Sequence, residues 1–226
     1  VVRARPSIQL PESLSGETLN RLRQQLGADL FVLGSYTILH QGHARKIRLD
    51  LRLQDARDGQ LLASFAQTST EGELFDLVSR AGRELRQRLG AGTLSAAQEA
   101  SLDRSFPSDP DARRLYAEGL DRLRRFDALG AREPLEQTVK IEPRFAPAYS
   151  ALAEMWSALG YDAKAADEAK KAVDLAAGLS REDQLSIEGQ YYELAQNRSK
   201  AIETLRTLFD FFPDNIDYGI RLATEQ

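Results

Sequence analysis

The chain has 226 residues and no cysteine, which excludes disulfide bonds and thiolate metal sites. Its content of 42% hydrophobic and 28% charged residues is ordinary for a globular protein, and it has no apolar run of about 18 residues, so we expect no membrane contact from it. Residues 1–92 carry 13 Lys and Arg against 10 Asp and Glu, whereas residues 93–226 carry 17 against 24. This acidic second half predicts no nucleic-acid partner. Because the chain begins at Val1 without a methionine, we expect it to be part of a longer protein.

Residues 1–92 have the pattern of an α+β domain in which helices pack on an antiparallel sheet. A helix is predicted from Ser15 to Gly27, because leucines recur there at helical spacing and glycine ends the run. Three antiparallel strands are predicted next, over Leu30–Leu39, Arg45–Gln54 and Gln60–Thr68. The first is uniformly apolar, which predicts a buried strand, and turns are expected around Gly42 and at Asp58-Gly59. Alternation in the other two strands predicts these inward residues: Ile47, Leu49, Leu51, Leu53, Leu61, Ala63 and Phe65.

A second helix is predicted after the sheet. Thr70 and Glu73 match a capping box, and Gly90-Ala91-Gly92 ends the helix. Its apolar residues share one face and are expected to cover the sheet: Leu74, Leu77, Val78, Ala81, Leu85 and Leu89. A connector over 93–110 follows, with a short helix over Leu94–Leu102 that Ser95 can cap.

Small residues recur through the second half with a period near 34 residues. The repeating positions are Gly119, Ala153, Gly189 and Ala223, then Ala131, Ala165 and Ala201, then Pro143, Ala177 and Pro213. Small residues let antiparallel helices approach closely, and proline ends a helix. The period therefore predicts helix pairs over 112–145, 146–179 and 182–215, with a partial fourth unit from 216. Asp109 with Pro110, and Ser180 with Asp183, are expected to start helices.

These units resemble the tetratricopeptide repeat, a 34-residue helix pair. The resemblance implies an all-α superhelix over 111–226 that binds a protein or peptide. In that family the first helices line the groove. Carried over position by position, the implied groove residues are Arg113, Tyr116, Leu120, Leu123 and Arg124, then Pro147, Ser150, Glu154 and Ser157, then Asp183, Ser186, Gln190 and Glu193. An alternative is that Tyr116, Leu120 and Leu123 pack against the connector helix.

The groove positions do not match the members of this family that capture a peptide carboxylate. Those members use Lys, Asn and Arg where this chain has Tyr116, Leu120, Ala151, Asp183 and Ile187. The implied groove is aromatic and basic at one end and acidic with amides at the other. Such a groove suits an extended or helical peptide rather than an acidic peptide tail.

Four stretches carry a second resemblance. Leu26–Ser35 and Arg48–Gly59 resemble the small α/β domain related to the amino-terminal domain of TolB, and Ala172–Asp183 and Phe211–Asn215 are similar to kinase-linked relatives. In bacteria this domain precedes tetratricopeptide repeats in membrane-anchored serine/threonine protein kinases, adenylate cyclases and winged-helix regulators. The resemblance implies a non-catalytic sensor or interaction region of a signalling protein, with a kinase as the expected parent. An extracytoplasmic location is expected, with a cytoplasmic one as the alternative.

Motifs for catalysis are missing from the sequence. It has no phosphate-binding loop, no kinase signature and no nucleophile elbow. His40 and His43 would need a third metal ligand such as Asp50 or Asp55, and no ligand spacing supports one. We expect no catalytic residue, cofactor or metal. Two alternatives stay open, namely an enzyme fragment with an unrecognised site in the α+β domain and the effector region of a transcription regulator.

The partial fourth unit and the start of the sheet predict self-association. Ile216, Leu222 and Ala223 hold core positions that lack a second helix to cover them, and Ile220 extends the apolar stripe. The sheet edge near Val1-Val2 is also expected to be open. Exposed apolar stripes and open edges pair with other chains, so we expect a homo-oligomer through one of these ends.

Overall fold

The computed structural model describes residues 14–41, 44–70, 73–213 and 215–226. These residues form two compact units, one ending at Thr93 and the other running from Leu94 to Gln226. The first is α+β and the second is helical, which confirms the expected fold class at this level. The elements are α1 Gly16–Leu26, β1 Leu30–Gln41, β2 Ala44–Asp55, β3 Leu61–Thr70, α2 Leu74–Arg88, α3 Ala96–Arg104, α4 Pro110–Arg124, α5 Ala128–Ile141, α6 Ala146–Ala158, α7 Asp162–Leu175, α8 Arg181–Leu194, α9 Arg198–Phe211 and α10 Ile216–Glu225.

The N-terminal unit contains the predicted meander, an antiparallel sheet of order β1-β2-β3. The Asp58-Gly59 turn joins β2 to β3, and Gly59 has a φ of +75°, a conformation that favours glycine. The Gly59 N–H donates to the Asp55 carbonyl over 3.0 Å. The other predicted turn, around Gly42, lies outside the described residues. Ser15 caps α1 by accepting the Thr18 N–H, and Gly27 ends it.

Burial in the sheet corrects three predictions. The β1 strand is exposed rather than buried, with Tyr36 at 68% of its full accessibility. Leu61 at the start of β3 is also exposed, as are Val78 and Leu89 on α2. The physical reason is geometric: β1 is an edge strand, and the contacts of α2 lie mainly on β3 and β2. Apolar sequence alone therefore overstated how much of this sheet one helix covers.

The start of α2 also differs from the predicted capping box. Thr70 is the last residue of β3, and α2 begins at Leu74 after Glu73. The Glu73 carboxylate accepts the Ser69 hydroxyl at 2.7 Å and the Thr70 N–H at 3.4 Å. These hydrogen bonds lower the pKa of Glu73. The carboxylate thus ties the end of the strand to the beginning of the helix.

The helical unit contains three hairpins, α4–α5, α6–α7 and α8–α9, that turn in the same way. Each turn places one residue in the left-handed region, with φ of +62° at Phe126, +78° at Gly160 and +55° at Gln196. The next residue in each turn donates its N–H over 2.9 Å to a carbonyl of the first helix, in the pairs Asp127–Arg122, Tyr161–Trp156 and Asn197–Tyr192. These are helix C-terminal motifs. Their positions repeat after 34 and 36 residues, which are the intervals of the sequence period.

The small residues of the period lie at the contacts within each hairpin, as predicted. A Cβ built on Gly119 would lie 2.6 Å from Leu135, and one on Gly189 would lie 3.1 Å from Leu205. The middle hairpin has alanine on both sides, and the alanines of the second helices are equally buried. Five alanines of the hairpins that have no exposed surface are Ala131, Ala153, Ala165, Ala169 and Ala201. Each hairpin therefore closes by matching a small residue to the side chain opposite.

The predicted helix starts are confirmed in this unit. Asp109 caps α4 with Pro110 in its first turn, Ser95 and Gln98 form a capping box on α3, and Ser180 accepts the Asp183 N–H. The predicted uncovered stripe of the last helix is partly confirmed. Ile216 and Ala223 are exposed as expected, but Leu222 packs on the Leu185, Leu205 and Leu208 cluster, which corrects its place in that stripe. The reason is that α10 packs along α9 on one side, which leaves its other side open to solvent.

Candidate functional site

The first helices of the three hairpins surround one cavity. Helix α6 contacts both α4 and α8. The cavity between them has a volume of about 200 Å³. We call it the α4/α6/α8 cavity, and its lining residues are Tyr116, Leu120, Pro147, Ser150, Ala151, Glu154, Asp183, Ser186 and Ile187. Tyr116, Leu120, Pro147, Ser150, Glu154, Asp183 and Ser186 were implied by the sequence resemblance, so seven of the implied groove positions meet here.

Two of the implied residues join α6 to α8. The Ser150 hydroxyl donates to the Gln190 side-chain carbonyl over 2.6 Å, and the Gln190 amide donates to the Ser150 backbone carbonyl over 3.1 Å. This reciprocal pair is partly buried, where hydrogen bonds are less exposed to competition from water. It fixes the spacing of the two helices at the wall of the cavity, although Gln190 itself is not part of the lining.

The connector reaches the same end of α8. Ser105 donates to Asp183 over 2.9 Å, Ser180 donates to the same carboxylate oxygen over 2.8 Å, and Arg104 donates to the Gly178 carbonyl over 3.2 Å. Asp183 therefore holds the connector and the start of α8 together, and it also lines the cavity. No sequence motif had indicated the Ser105 contact, because it joins residues 78 positions apart.

Tyr116 packs against Phe145, with ring centroids 5.0 Å apart and perpendicular planes. Tyr116 and Leu120 lie against the hydrophobic cluster that contains Leu123, Leu152 and Met155. Leu123 is thus a core residue, which corrects its assignment to the groove. Helix α3 buries none of its own residues, so the alternative in which these side chains pack on it gains no support from burial.

The cavity is electrostatically negative. Burial and the nearby charges of Asp183 and Glu154 raise the pKa of Tyr116 well above its usual range. The Glu154 side chain is exposed to water, yet the protein surrounding it displaces part of its hydration and raises the pKa of its carboxyl, while Arg221 acts in the opposite direction. A cavity with these groups favours a donor or a cation over an anion.

Four other implied residues lie away from the cavity. Arg113 donates to the Pro107 carbonyl and so holds the connector. Arg124 is exposed, and Ser157 is partly exposed; neither belongs to the lining. Glu193 binds Arg221 through both carboxylate oxygens, at 3.1 and 2.6 Å. Arg221 lies on α10 and was missed by sequence reasoning, because the partial fourth unit gave no groove positions.

A second cavity of about 500 Å³ lies between α5, α6 and α7, and most of its charged side chains already have partners, although Glu168 Oε2 is buried without a hydrogen bond from any described residue. Arg132 and Lys164 lie 5.0 and 4.3 Å from the Trp156 ring centroid. Arg132 also binds Glu136 at 2.8 Å. Lys171 binds Glu168 at 2.9 Å. The larger volume is therefore the weaker candidate.

Within the described ranges, no cluster of three His, Asp or Glu residues could hold a metal ion. His43 lies outside those ranges, while Asp50 binds Arg48 and Asp55 binds Arg57. None of the described helices combines the length and apolar character needed to cross a lipid bilayer. No protein-family model and no curated protein matches the chain.

Proposed function

We propose that the helical unit is a tetratricopeptide array that binds a protein or peptide through the surface formed by its first helices. The observation that carries this proposal is the α4/α6/α8 cavity, to which three successive hairpins each contribute side chains. Solenoid proteins bind along such surfaces because stacked repeats place equivalent helices side by side. The helical hairpins with matching turns at intervals of 34 and 36 residues support the same assignment.

We further propose that the chain is the non-catalytic sensor or interaction region of a bacterial signalling protein, with a serine/threonine protein kinase as the expected parent. The support is the α+β unit followed by a helical unit, together with the sequence resemblance to the TolB-related domain. An extracytoplasmic location belongs to the same proposal. Sequencing the parent gene upstream tests it, because a kinase domain and one apolar span are expected there.

Peptide selection tests binding directly. The whole chain is immobilised and exposed to a phage-displayed library of random 12-residue peptides, and enriched peptides are measured by fluorescence polarisation. Glu154→Trp places a large ring in the cavity, and this exposed side chain makes no hydrogen bond or ion pair within the described part of the chain that would be lost. We expect it to weaken binding by at least about tenfold, or about 1.4 kcal/mol.

Glu133→Trp is the matched control, because Glu133 is an exposed glutamate on α5 outside both cavities. It should bind the selected peptides like the natural chain. Thermal melting of both variants checks folding. A library that yields no enriched peptide, or peptides that bind Glu154→Trp at full affinity, would overturn the proposal.

A further inference from the structure

The α4/α6/α8 cavity contains carboxylate groups that no cation of the described part of the chain neutralises at contact distance. Glu154 makes no hydrogen bond or ion pair there. Asp183 uses one oxygen, Oδ2, to accept two hydroxyls, and its Oδ1 accepts no hydrogen bond from any described residue. The hydroxyl of Tyr116, a side chain largely enclosed by protein, likewise makes no hydrogen bond within the described ranges. The Tyr116 hydroxyl and Asp183 Oδ1 stay accessible to solvent, so a ligand that enters the cavity can bind them without displacing a protein partner.

The arginine nearest to Glu193, Arg221, is engaged outside the lining of the cavity. Arg221 binds Glu193 with its Nε and Nη2, and its Nη1 donates to the Ser186 hydroxyl over 3.4 Å. A bidentate pair of this kind is among the strongest side-chain interactions, so Arg221 is held at Glu193. Arg124 is exposed and outside the lining, and its charge only partly offsets the rise in the pKa of Tyr116. Glu154 and Asp183 therefore face a cavity that has space for a cation supplied by a ligand.

The size and walls of the cavity restrict what that cation is. Its volume of about 200 Å³ is below the roughly 300–1,000 Å³ typical of sites for whole small molecules, so it suits one side chain. Leu120, Ala151 and Ile187 supply apolar wall. Lysine and arginine combine an apolar stem with a charged end, which matches an apolar wall with carboxylates beside it.

We propose that this cavity receives the side chain of a lysine or arginine from the bound peptide. The stem lies along Leu120 and Ile187, and the cation lies between the Glu154 and Asp183 carboxylates. The Tyr116 hydroxyl oxygen accepts a further hydrogen bond from it. This inference rests on the proposed peptide-binding function and gives it a specificity: a basic anchor residue.

The partial desolvation of Glu154 also favours a basic side chain in the cavity. Its carboxyl has a raised pKa because the surrounding protein replaces part of its hydration. A cation that enters the cavity restores favourable electrostatics to both carboxylates, whereas an acidic or neutral side chain does not. The cavity therefore discriminates by charge as well as by size.

Peptide pools with one fixed residue test the proposal directly. The probes are fluorescein-labelled nonapeptide pools with random flanks and a central lysine, arginine, norleucine or glutamate. Norleucine keeps the lysine stem without the charge. The whole chain is titrated into each pool, and polarisation gives the bound fraction. We expect the lysine and arginine pools to bind at least about tenfold more tightly than the norleucine pool, and the glutamate pool to bind most weakly.

Two variants assign the preference to the cavity. Glu154→Gln keeps the shape and removes the charge, so the ratio of lysine to norleucine binding should fall severalfold. Glu154→Lys supplies the cation within the chain and should remove the preference entirely. Glu133→Gln removes the same charge as Glu154→Gln, but on α5 outside the cavity, so it should leave the ratio unchanged. Thermal melts of all three confirm folding.

The outcomes separate the two proposals. Equal binding of all pools, abolished by Glu154→Trp, would refute the basic anchor and leave peptide binding intact. A lysine preference that persists at full size in Glu154→Gln would place the anchor elsewhere and also refute it. If no pool binds, the proposed function fails and the inference fails with it.

Discussion

Replacing Gly119 by alanine should destabilise the helical unit, against the usual effect of this change. In an open helix, alanine is favoured over glycine by about 0.8–1.0 kcal/mol. At Gly119, however, the new Cβ would lie 2.6 Å from both Cγ and Cδ2 of Leu135. Carbon atoms pack best at about 3.5–4.0 Å, and Leu135 is fully buried, so it has no free space into which to move. Overpacking of this kind costs about 1–3 kcal/mol, which leaves a net loss of up to about 2 kcal/mol.

Gly189 is the matched comparison in the third hairpin. Its added Cβ would lie 3.1 Å from Leu205 Cδ2 and 3.3 Å from Arg221 Nη2, both at the ends of side chains. Gly189→Ala should therefore be neutral or stabilising by up to about 1 kcal/mol, because small shifts relieve these contacts. Urea unfolding followed by Trp156 fluorescence measures both variants. Trp156 is the only tryptophan and lies in the helical unit, where it is 7% exposed.

The double variant Gly119→Ala with Leu135→Ala tests the cause. It places alanine at both positions, as in the middle hairpin, where the equivalent residues Ala153 and Ala169 are fully buried. Leu135→Ala alone should cost about 2–5 kcal/mol, because it leaves a cavity. The double variant should be more stable than the sum of the single changes predicts, by about 0.5–3 kcal/mol. If Gly119→Ala stabilises the unit by about 1 kcal/mol, or if the two changes are additive, the close-contact reasoning is wrong.

Further predictions concern a turn, a carboxylate and the last helix. Phe126 is 97% exposed with a φ of +62°, so Phe126→Gly should raise stability by about 1 kcal/mol in the same tryptophan-monitored unfolding. Hydrogen bonds from the Arg57 side chain and backbone outweigh burial and lower the pKa of Asp55 from 3.8 to about 2. Stability from this carboxylate is therefore present above pH 3.8 and lost as the pH falls toward 2, and Arg57→Gln should move the Asp55 titration upward in an NMR pH series. Ile216 and Ile220 are 72% and 58% exposed, so we expect concentration-dependent self-association that Glu at both positions abolishes. Light scattering checks this, and a strict monomer at all concentrations would contradict it.

Local chemistry made much of this fold predictable. Ser15 and Gly27 bound α1, Asp109 begins α4, and Ser180 begins α8, because capping depends on residues within one turn of the helix end. The period of small residues gave the hairpins for a similar reason: close helix packing allows few residue types at Gly119 and its equivalents. The resemblance to the tetratricopeptide repeat, which rests on this period, implied seven of the residues that line the α4/α6/α8 cavity.

Burial and long-range contacts depended on the tertiary structure. The apolar run of β1 is exposed, because strand order and the position of α2 decide which side of the sheet is covered. The repeat position of Leu123 implied a groove residue, yet its side chain lies in the hydrophobic core. Neighbouring positions on one helix can face either the groove or the core, and only the packing of the helices decides which. The Ser105–Asp183 and Arg221–Glu193 contacts join residues 78 and 28 positions apart. Sequence alone determined the repeating helices and many of the residues around the cavity, whereas only folding determined which charges there are paired, because pairing depends on distances between separate elements.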